Sequence, residues 1–195
     1  MKIGFDVDGT LTNEKFEDIH KSVMNTDQCL DSFVHKMLDF TPTYYMGLLQ
    51  THLNNRDEIF IITYRWDSWA ETTIKWFQKY VKTDKIKFYF SPPEIRTNDV
   101  NVYKRNAVTY KSRIILENDL HYYYDDSDFL IEALTAVCPR TKVIKATMSD
   151  KSMADCPHCG EEIIIQEYQN GICPRCFQKY LWDGIGDEWT FLTKP

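Results

Sequence analysis

Short apolar runs alternate with segments of helical periodicity over residues 1–148 of the 195-residue chain. The runs predict five strands, at 2–5, 59–62, 87–90, 121–124 and 142–144. Apolar residues three and four positions apart predict helices within 33–53, 66–81, 107–117 and 129–137. In the second of these helices, Trp69, Ile74 and Phe77 are predicted to face the core. Strands that alternate with helices indicate an α/β fold with a mostly parallel sheet.

Charged and hydroxyl side chains follow the predicted strands or lead into them. In open parallel sheets, ligands collect at the carboxyl ends of the strands. The residues placed there are Asp6, Asp8, Thr63, Arg65, Lys111, Asp125 and Asp126. Carboxylates hold hard divalent cations, whereas hydroxyl and cationic groups hold phosphate oxygens. The sequence therefore predicts a site for a metal ion and a phosphate group at this sheet edge.

Four segments, taken in order, resemble the motifs of haloacid dehalogenase (HAD) superfamily phosphatases. They are DVDGTLT at the first strand, the threonine after IFII, the lysine at 111, and YYYDDSD. The resemblance covers about residues 1–148 and implies a HAD-like Rossmannoid parallel sheet with flanking helices and a minimal cap. It also implies a phosphoric monoester hydrolase, because the second acid of the first motif is absent from members that break carbon–halogen or carbon–phosphorus bonds.

The resemblance implies a role for each acid of this set. Asp6 would be the nucleophile that forms an aspartyl-phosphate, and Asp8 would protonate the leaving oxygen and later activate water. Mg2+ would be held by the carboxylates of Asp6 and Asp125 and by the backbone carbonyl of Asp8, with Asp126 close by.

Thr63 and Lys111 would bind the transferring phosphoryl group and neutralise its charge. Lys104 is a second candidate for the lysine, because basic residues cluster in this region. Lys111 is preferred because it lies nearer to Asp125, at the usual distance for a lysine on the helix before that strand.

Arg65 follows Thr63 by two positions, a spacing that resembles polynucleotide 3'-phosphatases and some nucleotidases of the superfamily. An arginine there can fork onto a substrate phosphate. The alternative is an arginine at a helix start that pairs with Asp67 or Glu71.

Little sequence remains for a lid over the site. Once the ordinary first helix is placed, only 13–34 or so is left for a cap after the first motif. An open or lightly lidded site favours a phosphate at the end of a large molecule, although nucleotides also fit. Tyr44, Tyr45 and Tyr64 could stack on a base, but core packing is the commoner use of such residues.

Charge is distributed unevenly along a chain whose net charge is -6. Residues 75–113 hold 10 basic and 3 acidic side chains, whereas 152–195 hold 3 and 7. Most of the lysines fit a solvated helix face. Four of the basic residues are expected to surround the phosphate site, namely Lys104, Arg105, Lys111 and Arg113.

No apolar run reaches the length of a membrane span, and Asp6 and Asp8 interrupt the N-terminal apolar stretch, so a secretory signal is not expected. A cytoplasmic protein without membrane association is the expectation. Cys29 and Cys138 are isolated and are predicted to be small buried hydrophobes.

The other four cysteines form two CxxC pairs separated by 13 residues, at Cys156, Cys159, Cys173 and Cys176. This spacing predicts a closed tetrahedral Zn2+ site in a zinc ribbon over 152–195, joined by a linker at 146–155. A strand is expected between the two pairs, at 162–168. Redox use of a CxxC is the alternative. Because the module is acidic, docking to the first domain or to a protein partner is favoured over nucleic-acid binding.

Two functions remain open. The first is a Mg2+-dependent phosphomonoesterase that acts on nucleotides or nucleic-acid ends. The second is a zinc-ribbon binding or adaptor protein that uses the HAD domain as a scaffold. The pairing of Asp6 with Asp8 weighs against the second, since a scaffold needs neither.

Overall fold

A parallel five-stranded sheet forms the centre of the protein. The computed structural model describes residues 1–13, 36–95, 97 and 99–147, and the backbone of five short strands between 152 and 191. In chain order, β1 to β5 are Lys2–Phe5, Glu58–Trp66, Ile86–Ser91, Tyr122–Asp125 and Lys142–Lys145. They lie side by side in the order β3-β2-β1-β4-β5, and all pairs are parallel. The predicted α/β class is confirmed.

Helices cover the sheet and are capped where the sequence offers short polar side chains. Within the described residues the α-helices, α1 to α4, are Tyr44–Asn54, Ala70–Gln78, Val100–Glu117 and Asp128–Val137. Thr43 caps α1 by accepting a hydrogen bond from the N–H of Tyr45, and Asp99 caps α3 by accepting from Asn101 and Val102. Short 3-10 turns lie at Met37–Asp39, Asp67–Trp69 and Pro93–Ile95.

The alternation of β2 explains why its sequence is apolar throughout. Ile59 and Ile61 pack into one hydrophobic cluster, whereas Phe60 and Ile62 pack into a second cluster. Both sets of side chains are fully buried, because successive residues of a strand point to opposite faces of a sheet that is covered on both sides.

Three elements differ from their predicted limits in ways that affect the site. β2 continues to Trp66, with a register irregularity after Ile62, so that Thr63 and Arg65 lie within the strand. α2 begins at Ala70, and its fully buried residues include Trp76, whereas Ile74 is only partly buried. α3 begins at Val100 rather than at 107, and this places Lys104 and Lys111 on one helix.

Beyond 147 the described backbone consists of five strands, β6 to β10: Ser152–Asp155, Glu162–Ile165, Asn170–Ile172, Lys179–Trp182 and Trp189–Phe191. β6 pairs with β7, and β8, β9 and β10 form a separate antiparallel sheet. The end of the predicted linker is therefore a strand, and β7 coincides with the strand expected between the cysteine pairs. The four cysteines, Cys29 and the predicted cap beyond residue 13 lie outside the described residues.

Cys138 is fully buried, as predicted. In the part of the chain that the structure describes, no helix combines the length and the apolar character needed to cross a bilayer. The division into domains at 148–152 stays a prediction.

Candidate active site

The loop after β1 presents two carboxylates at the carboxyl end of the sheet. The N–H of Asp6 donates to the carbonyl of Tyr124 at 2.8 Å, which extends the pairing of β1 with β4. The chain then turns, and Val7 accepts hydrogen bonds from the N–H groups of three later residues, Thr10, Leu11 and Thr12. Asp6 and Asp8 are only 6% and 3% exposed. A buried carboxylate needs partners, and both residues have them.

Lys111 joins the first carboxylate to one from β4. Its Nζ lies 2.7 Å from Oδ1 of Asp6 and 2.7 Å from Oδ2 of Asp125. Burial opposes the charge on Lys111, but Asp125 and Asp6 together raise its pKa above the usual value, so the ammonium form persists. The preferred lysine therefore lies between the predicted nucleophile and a predicted metal ligand.

Asp125 is held in place from two further directions. Its Oδ2 accepts from the hydroxyl of Tyr123 at 3.1 Å, and its Oδ1 accepts from the N–H of Ser127 at 3.0 Å. The Tyr123 hydroxyl also lies 3.2 Å from the carbonyl oxygen of Ile62 in β2. These contacts fix the position of one carboxylate between β4 and α4.

A metal ion fits beside these groups. One oxygen each of Asp6, Asp125 and Asp126 can be chosen so that all three lie within 4.8 Å of one another. Burial raises the pKa of Asp6 well above its usual value, Lys111 lowers it, and Asp125 is the largest of three carboxylates that raise it further. Asp6, Asp8, Asp125 and Asp126 are called the acidic cluster below. Hard oxygen ligands with excess negative charge suit Mg2+.

Gly9 is required where the loop passes Asp126. Its φ of +77° is a left-handed conformation that favours glycine. A Cβ atom at this position would lie 2.2 Å from Oδ2 of Asp126. The glycine of the first motif therefore lets the loop approach the acidic cluster.

Arg65 binds Asp8 in this structure. Its Nε lies 3.0 Å from both carboxylate oxygens of Asp8, and a terminal nitrogen lies 2.6 Å from Oδ1. The other terminal nitrogen donates to Oγ1 of Thr73 at 3.1 Å, and the guanidinium lies 5.6 Å from the centre of the Phe40 ring. Arg65 is fully buried.

This arrangement bears on both expectations for Arg65. The guanidinium donates to Asp8 and does not line the cavity described below, so binding of a substrate phosphate by Arg65 stays a prediction. The alternative pairing with Asp67 or Glu71 is wrong, because Arg65 pairs with Asp8 and Glu71 pairs with Lys75.

Thr63 is buried next to Arg65. It is 1% exposed, and its Oγ1 accepts a hydrogen bond from the N–H of Arg65 at 3.1 Å. Thr63 does not line the cavity described below, and its contact with a phosphate group stays a prediction. It lies instead within the irregular end of β2 that positions Arg65.

A cavity of about 320 Å³ opens above the acidic cluster, and all four of its carboxylates line it together with Lys111. The rest of the lining is mostly aromatic and apolar, and its two charged side chains are Lys104 and Asp128; the residues are Tyr64, Tyr103, Lys104, Ala107, Ser127, Asp128, Phe129 and Leu130. Lys104 makes no contact with the acidic cluster that resembles that of Lys111; its Nζ lies 5.3 Å from the centre of the Phe129 ring. The two candidate lysines thus belong to different parts of one cavity.

Other residues that were expected at the site, namely Tyr44, Tyr45 and Arg113, contact protein side chains. Tyr45 packs on Tyr124 with ring centres 5.7 Å apart, and Tyr44 packs edge-on against Tyr45. Arg113 is exposed and lies 4.0 Å from Glu117. Of the four basic residues expected around the phosphate, Lys104 and Lys111 line the cavity, whereas Arg105 and Arg113 do not.

The sequence does not predict three contacts with residues of the site, those made by Tyr123, Thr73 and Phe40. Tyr123 has a detectable signal, because it precedes Asp125 by two residues in a strand and must share its face. Thr73 and Phe40 contact Arg65 from distant segments, and no local pattern marks them.

Comparison with known proteins supports the fold. No protein-family model matches this sequence, and no curated protein sequence is significantly similar to it. A chain of the Pnkp1/Rnl/Hen1 RNA repair complex is similar in structure, with a TM-score of 0.51 and 15% identity. The match covers 76% of this chain and 43% of that chain, so this protein spans less than half of its length.

The HAD domain of the effector protein Lem4 from Legionella pneumophila also matches, with a TM-score of 0.44 and 14% identity, over 76% of this chain and 88% of that domain. An inactive mutant of the same domain gives 0.46 and 13%, over 76% and 86%. The chain thus has a parallel five-stranded α/β fold, and its likeness to these structures is one of fold alone.

Proposed function

We propose that this protein is a Mg2+-dependent phosphomonoester hydrolase of the HAD type that forms an aspartyl-phosphate on Asp6. The observation that carries the proposal is the bridge of Lys111 between Asp6 and Asp125 beneath an open cavity. Burying a lysine between two carboxylates costs free energy, because each charge must leave water. Buried groups of this kind are therefore more typical of a functional site than of a structural core.

The net negative charge of the site favours the binding of one divalent cation. The four carboxylates of the acidic cluster face two cationic side chains, Lys111 and Arg65. Asp6 and Asp125, with the backbone carbonyl of Asp8 and with Asp126 close by, would hold Mg2+. When bound, Mg2+ would offset the charge that a phosphate group brings into this acidic site.

Asp6 supplies the nucleophile. A carboxylate oxygen of Asp6 attacks phosphorus, an acyl-phosphate bond forms, and the bond from phosphorus to the ester oxygen breaks. Lys111 keeps the Asp6 carboxylate in place and adds positive charge where the phosphoryl oxygens collect negative charge.

Asp8 moves the proton in both halves of the reaction. Its protonated carboxyl gives a proton to the departing alkoxide, and the resulting carboxylate then takes a proton from the water that attacks the acyl-phosphate. Inorganic phosphate leaves and both aspartates are restored. Arg65, which is itself anchored by Thr73, holds Asp8 for this purpose, because the forked contact fixes the plane of the carboxylate.

The proposed substrates are phosphates of nucleotides or nucleic-acid ends, with other phosphorylated small molecules as poorer alternatives. The cavity supports this assignment, since its far wall is aromatic and carries Lys104. The similarity to a chain of an RNA repair complex is in keeping with it.

The proposal extends to the C-terminal module. Cys156, Cys159, Cys173 and Cys176 would hold a structural Zn2+, on the strength of their paired spacing. The acidic module would contact a protein partner rather than nucleic acid. The proposed location is the cytoplasm, where cysteine thiols stay reduced and can bind metal.

The experiment is a phosphate-release assay on the purified full chain with Mg2+, and in parallel with a chelator. The panel contains a small aryl phosphate, nucleoside monophosphates, 3'- and 5'-phosphorylated oligonucleotides and sugar phosphates. We expect hydrolysis that needs Mg2+ and that is fastest on the nucleotide or oligonucleotide esters. Absence of hydrolysis across the panel would overturn the proposed function, and a clear preference for sugar phosphates would overturn its substrate class.

A further inference from the structure

The cavity has a second wall that the hydrolytic chemistry does not use. Tyr64 comes from β2, Tyr103 and Lys104 from the first turns of α3, and Phe129 from the start of α4. The rings of Tyr64 and Tyr103 meet edge to face with centres 4.9 Å apart. The hydroxyl of Tyr64 donates to the carbonyl of Ile95 at 2.8 Å, which anchors this pair. The aromatic wall is therefore built on fixed elements.

Lys104 is the cation of this wall, and the acidic cluster does not bind it. Lys111 is held by Asp6 and Asp125, and Arg65 is held by Asp8. Lys104 is exposed at the cavity surface, and its Nζ lies over the Phe129 ring. Among the described residues no carboxylate lies within ion-pair distance of its Nζ. Its charge is available to a ligand.

The distance between the two lysines suits a ligand with two anionic groups. Lys104 and Lys111 are seven residues apart on α3, so they lie on one side of the helix and about 10 Å apart along its axis. A phosphate beside Lys111 and a second phosphate beside Lys104 would place the part between them against Tyr103 and Phe129. Aromatic side chains at that position favour a nucleoside.

We propose that Tyr103, Lys104 and Phe129 form a leaving-group subsite for a nucleoside that carries a second phosphate, as in a nucleoside bisphosphate or the terminal nucleotide of a strand. This inference rests on the proposed hydrolase function and narrows its substrate class. A cavity of about 320 Å³ holds a ligand at the small end of the usual range, so a longer strand must leave it through the opening.

The test compares kcat/KM for four substrates under one set of conditions. They are the 3' and 5' nucleoside monophosphates, the 3',5'-bisphosphate of the same nucleoside and a hexose bisphosphate. We expect the nucleoside bisphosphate to exceed the better monophosphate by about twofold to fivefold, the upper part of the range for one exposed charge contact. The hexose bisphosphate should be poor, because it has no planar base for Tyr103 and Phe129.

Lys104→Gln should remove the advantage of the bisphosphate, so that its kcat/KM falls to that of the better monophosphate measured with the same variant. Arg105→Gln is the matched control, because this neighbour on α3 is exposed and does not line the cavity. Thermal unfolding curves of both variants check that each variant is folded.

The outcomes separate this inference from the function on which it rests. Hydrolysis with no advantage for the bisphosphate, or an advantage that survives Lys104→Gln, would overturn the subsite and leave the hydrolase in place. Rapid turnover of the hexose bisphosphate would overturn its nucleoside part. If no ester is hydrolysed, the function itself fails and the subsite with it.

Discussion

Arg65 holds the carboxylate of Asp8 from 57 residues away in the sequence, with Nε equidistant from the two oxygens at 3.0 Å. Both side chains are almost completely buried. Arg65, which lies on β2, also donates to Thr73 on α2, so the position of the Asp8 carboxylate is tied to both elements. From this pair we expect Arg65 to position Asp8 for the proposed proton transfer rather than to bind the substrate.

Arg65→Lys keeps the positive charge but removes the planar fork, so Asp8 loses its fixed orientation. We expect kcat to fall about tenfold or more, because general acid–base catalysis contributes at least that much. KM for nucleotide substrates should change little, since Arg65 does not line the cavity. Steady-state kinetics on a nucleotide substrate measures both quantities.

Thr73→Val provides the companion variant, because it removes one anchor of Arg65 and leaves the ion pair intact. It should lower kcat in the same direction by a smaller factor. A rise in KM with unchanged kcat in Arg65→Lys would instead show that the arginine binds substrate, as the sequence first suggested.

Gly9→Ala should destabilise the protein for two separable reasons. The left-handed backbone at Gly9 costs a non-glycine residue about 1–2 kcal/mol. The new Cβ would also collide with the Asp126 carboxylate. Chemical denaturation should therefore show a total loss of roughly 2 kcal/mol or more.

Asp126→Ala relieves the collision but not the backbone cost. In the Asp126→Ala background, the same glycine substitution should lose less stability, and the difference is the coupling energy of the cycle. Additive losses would mean that the loop passes Asp126 at a greater distance than the structure shows.

Asp125→Ala should weaken Mg2+ binding, so that excess Mg2+ partly restores activity. The Mg2+ concentration for half-maximal phosphate release should rise about tenfold or more, the range seen even for residues that only support metal ligands. Glu117→Ala serves as control, since that exposed carboxylate lies beside Arg113 and does not line the cavity. An equal rise in both variants would argue against a metal ligand at Asp125.

The C-terminal cysteines should hold one Zn2+ per chain. Elemental analysis of protein purified without chelator measures this directly. Cys159→Ser or Cys176→Ser should release the metal and unfold 152–195, because a module of this size has too small a core to fold without it. Metal-free protein with an intact module would contradict the zinc ribbon.

The sequence located the site through the ends of its strands. Asp6 and Asp125 could be placed together because the carboxyl ends of neighbouring parallel strands meet at one sheet edge, and the structure brings them to one lysine. The preference for Lys111 over Lys104 rests on its distance of 14 residues from Asp125, which can be read directly from the sequence.

The partner of Arg65 could not be predicted in the same way. Its contact with Asp8 depends on the irregular extension of β2 beyond Ile62, which buries the guanidinium instead of presenting it at a strand end. The start of α3 at Val100 was missed as well, although Asp99 directly before it is a typical helix cap. The predicted helix was confined to its apolar part.

Phosphate release by Asp6→Asn tests the central claim most directly. Asparagine keeps the shape of the side chain but removes the attacking carboxylate, so the variant should keep its thermal stability and lose phosphate release from an aryl phosphate and from nucleotides alike. Wild-type protein assayed with Mg2+ on the same day supplies the reference rate. The account predicts no measurable turnover by the folded variant; turnover within a few-fold of wild type would show that Asp6 is not the nucleophile.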